Sequence, residues 1–397
     1  MPLVFILSIA EIAAVTSFGV FPALVPHFQA EWGLTNTQTG WISGIYFAGY
    51  VAAVPFLVSL TDQRDARGIF LGATALTVVS ELGFAALANG FESALAFRIL
   101  AGVGLAGTYM PGLRVLTDRL DDASRPRAIA FYTASFGIGT SLSYAASAML
   151  AEQFGWQVAF VAAACGAALA FALVALAVGP KPPQSAEAVT GALLDFRPVL
   201  RCRAAMAYVL AYTAHSWELF GFRAWIVAYL AYCQSLRGVE DRGESGLIAA
   251  VLILVGMPAS VAGNEFSRRH GRRRVVTAIM LTSALTALAL GFGSALPFWV
   301  VILIALVYGV LVTGDSASIT SGAVAAAPPG RQGATMAVHS TLGFSGGIAG
   351  PLVMGWVLDR AGAGFLGWGL AFASLAAACA MGPLALALLA SADRPNR

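Results

Sequence analysis

The chain has 397 residues, of which 58% are hydrophobic and 11% charged; its formal net charge is +3 and its mean hydropathy +0.78. Soluble domains carry about 25% charged residues, so a soluble fold of this length is excluded. The small net charge, without any basic-aromatic groove, speaks against a nucleic-acid partner.

The apolar residues fall in blocks of about twenty, the length that crosses about 30 Å of hydrocarbon as a helix. Transmembrane β-strands would be about ten residues long and alternating, and these blocks are neither. An all-α membrane protein with twelve transmembrane helices is therefore expected. In chain order the segments are 3–25, 40–60, 69–88, 94–112, 128–150, 156–178, 205–230, 246–264, 275–294, 298–316, 334–356 and 365–389. The first has no basic lead and carries Glu11, so it reads as a span that stays in place and not as a cleaved signal peptide. Segment 179–203 is polar and rich in Pro and charge. It reads as a linker between two six-helix bundles, residues 1–178 and 204–397.

Of the 23 Arg and Lys residues, 18 fall on one side of these spans. Arg237, Arg242 and Arg360 lie opposite, and Arg98 and Arg223 lie within spans. Positive charge stays cytoplasmic, so both termini are expected inside an inner membrane. The four cysteines (Cys165, Cys202, Cys233 and Cys379) show neither CxxC nor His/Cys ligand spacing, so no disulfide framework, metal site or cofactor is expected.

The halves echo one another. Gly155-Trp156-Gln157-Val158-Ala159-Phe160 opens span six, and Gly367-Trp368-Gly369-Leu370-Ala371-Phe372 opens span twelve, 212 residues on. The loop TDQRDARG after span two, from Thr61, matches SRRHGRRR after span eight, from Ser267, at an offset of 206. Six-plus-six parallel repeats are a transporter architecture.

At these loops the chain resembles the major facilitator superfamily, over essentially its whole length. The first copy of that family's GxLxDRxGRR loop keeps Leu60, Asp62 and Arg67, with Asp65 at a glycine position and Ala66 at a basic one. The second keeps Gly271, Arg272 and Arg273 but has Arg268 at the acidic position. The resemblance implies that these loops latch helices during alternation, here with weakened charges. Arg98, Gly102 and Gly104 in span four match the RxxxGxG pattern of proton-coupled members. Gly346-Gly347-Ile348-Ala349-Gly350-Pro351 in span eleven looks like the antiporters' fifth-helix motif in the other half. The fifth helix itself has Ser143-Tyr144 where Gly-Pro would stand, which argues against a drug antiporter. Small residues also let helices approach closely in any membrane bundle, and that reading stands beside the motif reading for each glycine.

Ionisable groups inside spans are costly and mark candidate sites. Span seven is the densest, with His215, Glu218 and Arg223 within an arc of roughly 140° and Gly221 as a possible bend. Glu11 corresponds to Glu218 at an offset of 207, and the resemblance implies that spans one and seven line a central cavity. Glu11, Arg98, His215, Glu218 and Arg223 are the candidates for substrate binding and proton coupling. Glu81 pairing with Arg98 is an alternative for that arginine. Asp315 is expected near the cytoplasmic end of span ten, facing water, and His339 in a helix interface.

The one lysine, Lys181 in GPKPP, serves no phosphate-binding loop, so an ATP-driven pump is excluded, and no protease motif suggests an enzyme. The partners implied are a small molecule, protons and the bilayer, for a monomer. Two transporter readings remain. Arg98 and Arg223 suggest uptake or exchange of a small organic anion. The Arg98 motif and the aromatic residues of span seven (Trp217, Phe220, Phe222 and Trp225) suggest proton-driven efflux of amphipathic compounds. A channel or receptor is the alternative from another class.

Overall fold

The computed structural model describes residues 2–61, 63–121, 124–181 and 196–389. Asp62, Arg394, Arg397 and the greater part of the 179–203 linker lie outside the described residues. With every backbone group needing an internal partner in lipid, the chain between the loops is helical throughout. The first six expected segments are covered by α1 (Pro2–Val15), α2 (Val20–Ala23), α3 (Val25–Trp32), α4 (Asn36–Leu60), α5 (Ala66–Leu87), α6 (Phe91–Thr117), α7 (Arg125–Phe154) and α8 (Trp156–Ala177). After the short α9 (Arg197–Arg201) come α10 (Arg203–Ser235), α11 (Glu244–His270), α12 (Arg272–Gly291), α13 (Phe298–Gly314), α14 (Ser316–Ala325), α15 (Gln332–Ala361) and α16 (Phe365–Leu389).

Among the described residues, nine helices are long and apolar enough to cross a membrane, counting α13 and α14 as one. The long helices outside that group, α7 and α10, carry Tyr132 and Ser143, and His215, Glu218 and Arg223, respectively. In α10 every residue from His215 to Leu230 is buried except Trp217. A helix buried all round belongs in the middle of a bundle.

Two expectations about helix continuity change. Span one is interrupted at residues 16–19, whereas span seven is unbroken. Gly221 is a packing residue and not a bend: a Cβ there would lie 2.5 Å from Leu375 Cδ2. Span ten continues through α14 to Ala325, ten residues past Asp315. That extension places Asp315 in the interior, 2% exposed, and not in water at a helix end.

The helices form two compact units. Unit 1 comprises Met1–Leu34, Ile45–Thr190 and Arg242–Leu254. Unit 2 comprises Thr35–Gly44, Gly191–Asp241 and Val255–Arg397. In both, glycines bring backbones together, as small residues do where lipid supplies no hydrophobic drive. In unit 1 a Cβ at Gly102 would fall 1.9 Å from the Tyr46 carbonyl oxygen, and one at Gly104 2.2 Å from Thr77 Oγ1. In unit 2 a Cβ at Gly346 would lie 2.3 Å from the Thr213 oxygen, and one at Gly350 2.2 Å from the Trp217 oxygen. The glycine runs of spans four and eleven are thus packing seams in this structure.

Candidate functional site

Unit 1 builds its polar interior around the break in span one. Thr16 and Phe18 donate their amides three residues back, to Ala13 and Val15, and the α-helical ladder stops there. Broken backbone at membrane depth must find partners elsewhere. Arg98 supplies two donors, Nη1 to the Ser17 carbonyl and Nη2 to the Phe18 carbonyl, each at 3.3 Å. Its guanidinium also stands 4.3 Å from the centre of the Tyr46 ring. Ser143 closes the other side: its hydroxyl donates to the Thr16 carbonyl and accepts from Gly19 N at 3.0 Å. A Cβ at Gly19 would meet the Tyr144 ring at 2.5 Å. The Ser143-Tyr144 pair therefore stitches and covers the break. Sequence reasoning saw these two only as a departure from a motif. The clues available were Thr16, Ser17, Gly19 and two nearby prolines, Pro22 and Pro26. Glu81 is buried and acts on Arg98 electrostatically without forming the ion pair that adjacent helices suggested.

Glu11 lies one turn before the break and is fully buried. Tyr132 on α7 donates to its Oε2 at 2.8 Å and reaches the Thr108 carbonyl at 3.3 Å. Among the described residues Glu11 Oε1 has no hydrogen-bond partner.

Unit 2 gathers side chains around α10. His215 Nδ1 stands 2.8 Å from Asp315 Oδ1, an ion-pair contact with both side chains almost wholly buried. Glu218, one turn along, accepts from Ser283 Oγ on α12 at 2.8 Å. Cys379 on α16 donates to the Met280 carbonyl at 3.3 Å and lies close enough to act on the Glu218 carboxylate, as do Asp315 and His215. Arg223 is buried in the same helix. The cluster extends through stacked rings. Tyr212 lies between His215, at 5.4 Å, and His339, at 4.0 Å, and His339 Nε2 meets Thr320 Oγ1 at 3.3 Å.

Span seven thus brings His215 and Glu218 together. The unforeseen member is Asp315, whose position turns on where span ten ends. Glu11 and Glu218 also differ as counterparts. Glu11 bonds to the fifth span, whereas Glu218 bonds to the ninth.

The basic loops are anchored by motif residues together with Asp65. Asp65, at the glycine position, caps α5 by accepting from Arg67 N at 3.0 Å. It also accepts from Lys181 N at 2.8 Å and pairs with Arg119 at 3.5 Å. Arg67 donates to the Ala175 carbonyl at 2.9 Å. In the second copy Gly271 takes φ +94°, a conformation side chains disfavour, at the start of α12. Arg273 donates to the Ala387 carbonyl at 3.3 Å, and Arg272 lies close enough to act on Tyr208.

The sequence profile of the Major Facilitator Superfamily matches residues 7–351 and, again, 240–397. The hexuronate transporter of Bacillus subtilis is 26% identical over 400 residues, covering 95% of this chain and 93% of that protein. The niacin transporter NiaP of Acinetobacter baylyi is 28% identical over 144 residues, which is 36% of this chain and 32% of that protein. The chain thus aligns with about a third of the niacin transporter's length. Among solved structures, a bacterial homologue of the human lysosomal transporter Spinster, inward-facing and unoccupied, superimposes with a TM-score of 0.77. That superposition covers 98% of this chain and 95% of the other at 16% identity, and it shows a shared fold.

Proposed function

The chain belongs to the Major Facilitator Superfamily, and from that premise we propose that it is a proton-coupled secondary transporter of a small organic anion, with His215, Glu218 and Asp315 holding the coupling proton. Membership sets it among transporters of small molecules and apart from enzymes. The observation that carries the proton assignment is the His215–Asp315 contact beside Glu218, three titratable side chains in one buried space. Intramembrane ionisable groups are expensive to keep and are typical of proton relays. Each proton gained or lost changes the net charge of this cluster by one, and Ser283 beside Glu218 carries no charge to compensate. Such a change biases the packing of α10 against α12, α14 and α16, the elements that supply the partners.

The anion class rests on Arg223, buried in unit 2, and on the names of two relatives. Niacin and hexuronate are both carboxylates, and an arginine fork grips a carboxylate with two parallel hydrogen bonds. Glu11 is the second proton site in this reading, held by Tyr132. The arginine distribution supports an inner-membrane protein with both termini cytoplasmic.

Purified protein in liposomes tests the reading. An inward proton gradient should drive accumulation of a labelled aromatic or sugar carboxylate, and Arg223→Lys should weaken its apparent affinity without lowering the melting temperature. Equal affinity in Arg223→Lys and wild type would end the anion assignment, and accumulation indifferent to the proton gradient would end the coupling assignment.

A further inference from the structure

The end of the α4–α5 hairpin holds a groove apart from the buried polar clusters. A groove of about 520 Å³ opens between α4, α5 and α6. Its walls are Leu57 and Leu60, Ile69, Ala73 and Leu76, and Val103, with Gly68 and Gly72 on its floor and Arg64 at its mouth. That volume lies within the range of small-molecule sites.

The two floor glycines are unlike the packing glycines of the bundle. At Gly102, Gly104, Gly346 and Gly350 an added Cβ would strike a neighbouring helix, so packing accounts for the missing side chain. At Gly68 and Gly72 an added Cβ would meet nothing within 4 Å among the described residues outside its own helix backbone. Gly72 is the seventh residue of α5, inside a helix where alanine would be more favourable, and no neighbouring element requires it to be small. What the two glycines do is keep the groove open.

Charge identifies the occupant. Arg64 is exposed at the hairpin end, on the arginine-rich side assigned to the cytoplasm. Asp65 also borders the groove, but its carboxylate is engaged by Arg67 N, Lys181 N and Arg119. The mouth therefore presents a positive charge above an apolar slot set in the bilayer. An anionic phospholipid of the cytoplasmic leaflet fits both parts: a hydrocarbon chain against Leu57, Leu60, Ile69 and Leu76, and a phosphate-bearing head at Arg64. We propose that this groove is a binding site for an anionic phospholipid.

Delipidated full-length protein, titrated with phosphatidylglycerol or phosphatidylcholine and read by native mass spectrometry, tests this directly. Wild type should retain phosphatidylglycerol in preference to phosphatidylcholine by about fivefold, the worth of one arginine at a charged leaflet. Gly72→Leu fills the slot and should abolish retention of the preferred lipid. Arg64→Gln leaves the slot open and should reduce the preference to that for phosphatidylcholine; being an exposed change, it keeps the test alive if Gly72→Leu fails to fold. The proposal is overturned if both variants retain phosphatidylglycerol as wild type does, or if wild type binds the two lipids alike. A protein dimer that Gly72→Leu dissolves would equally overturn it, since a second copy would then be the occupant.

Discussion

Unit 1 and unit 2 each bury charge at mid-membrane, but they spend it differently. In unit 1 Arg98 is directed at main-chain carbonyls of the interrupted first span, with Ser143 closing the same gap. In unit 2 the charged groups meet other side chains, His215 with Asp315 and Glu218 with Ser283. A guanidinium bonded to backbone fixes a shape. An imidazole beside two carboxylates can change charge while the helices around it stay intact. The difference teaches that a buried ion in this fold is not by itself a mark of coupling; what it bonds to separates brace from carrier.

The sharpest way to break the comparison is Arg98→Ala. It leaves two buried carbonyls without their donors, each worth about 1–3 kcal/mol when unsatisfied. The variant should melt well below wild type in detergent, with Arg98→Lys in between because a single ammonium lacks the spread of the fork. An Arg98→Ala protein as stable as wild type would show that the break needs no brace. Next in size is Gly350→Leu, which forces a side chain into the α10–α15 seam where even a Cβ is too close. Overpacking costs about 1–3 kcal/mol, and a thermal melt should show it; an unchanged melt would mean that the seam is looser than drawn. Smallest is Ser143→Ala. It removes two hydrogen bonds, to Thr16 and from Gly19, and such bonds inside a membrane protein average about 0.6 kcal/mol each, so a slight drop in melting temperature is expected. A drop as large as that of Arg98→Ala would move the brace from the arginine to the serine.

The helical architecture was legible in the sequence because twenty-residue apolar blocks leave lipid-embedded chain little other choice. Each expected span falls on helix, and the glycine pairs announced close contacts. Two things were not legible. The interruption at 16–19 is short, and its stabilising partners, Arg98 and Ser143, lie about 80 and 125 residues away. The place of Asp315 depended on whether span ten ends at the charge or runs past it. Ser316–Ala325 is rich in Ser, Gly and Ala, so its hydropathy fades although the helix goes on. A hydropathy reading stops at the charge. Burial and bonding to His215 are what make Asp315 part of the site.

Separating exchange from accumulation in one preparation tests the central claim most directly, that the coupling proton resides in unit 2. Glu218→Gln, Asp315→Asn and Arg98→Lys proteins are reconstituted, and each is assayed for substrate counterflow and for uptake driven by an imposed pH gradient. The unit 2 variants should retain counterflow and lose gradient-driven accumulation, while Arg98→Lys should scale both down together as folded protein is lost. Full gradient-driven accumulation in both Glu218→Gln and Asp315→Asn would contradict the account and return the proton to Glu11 in unit 1.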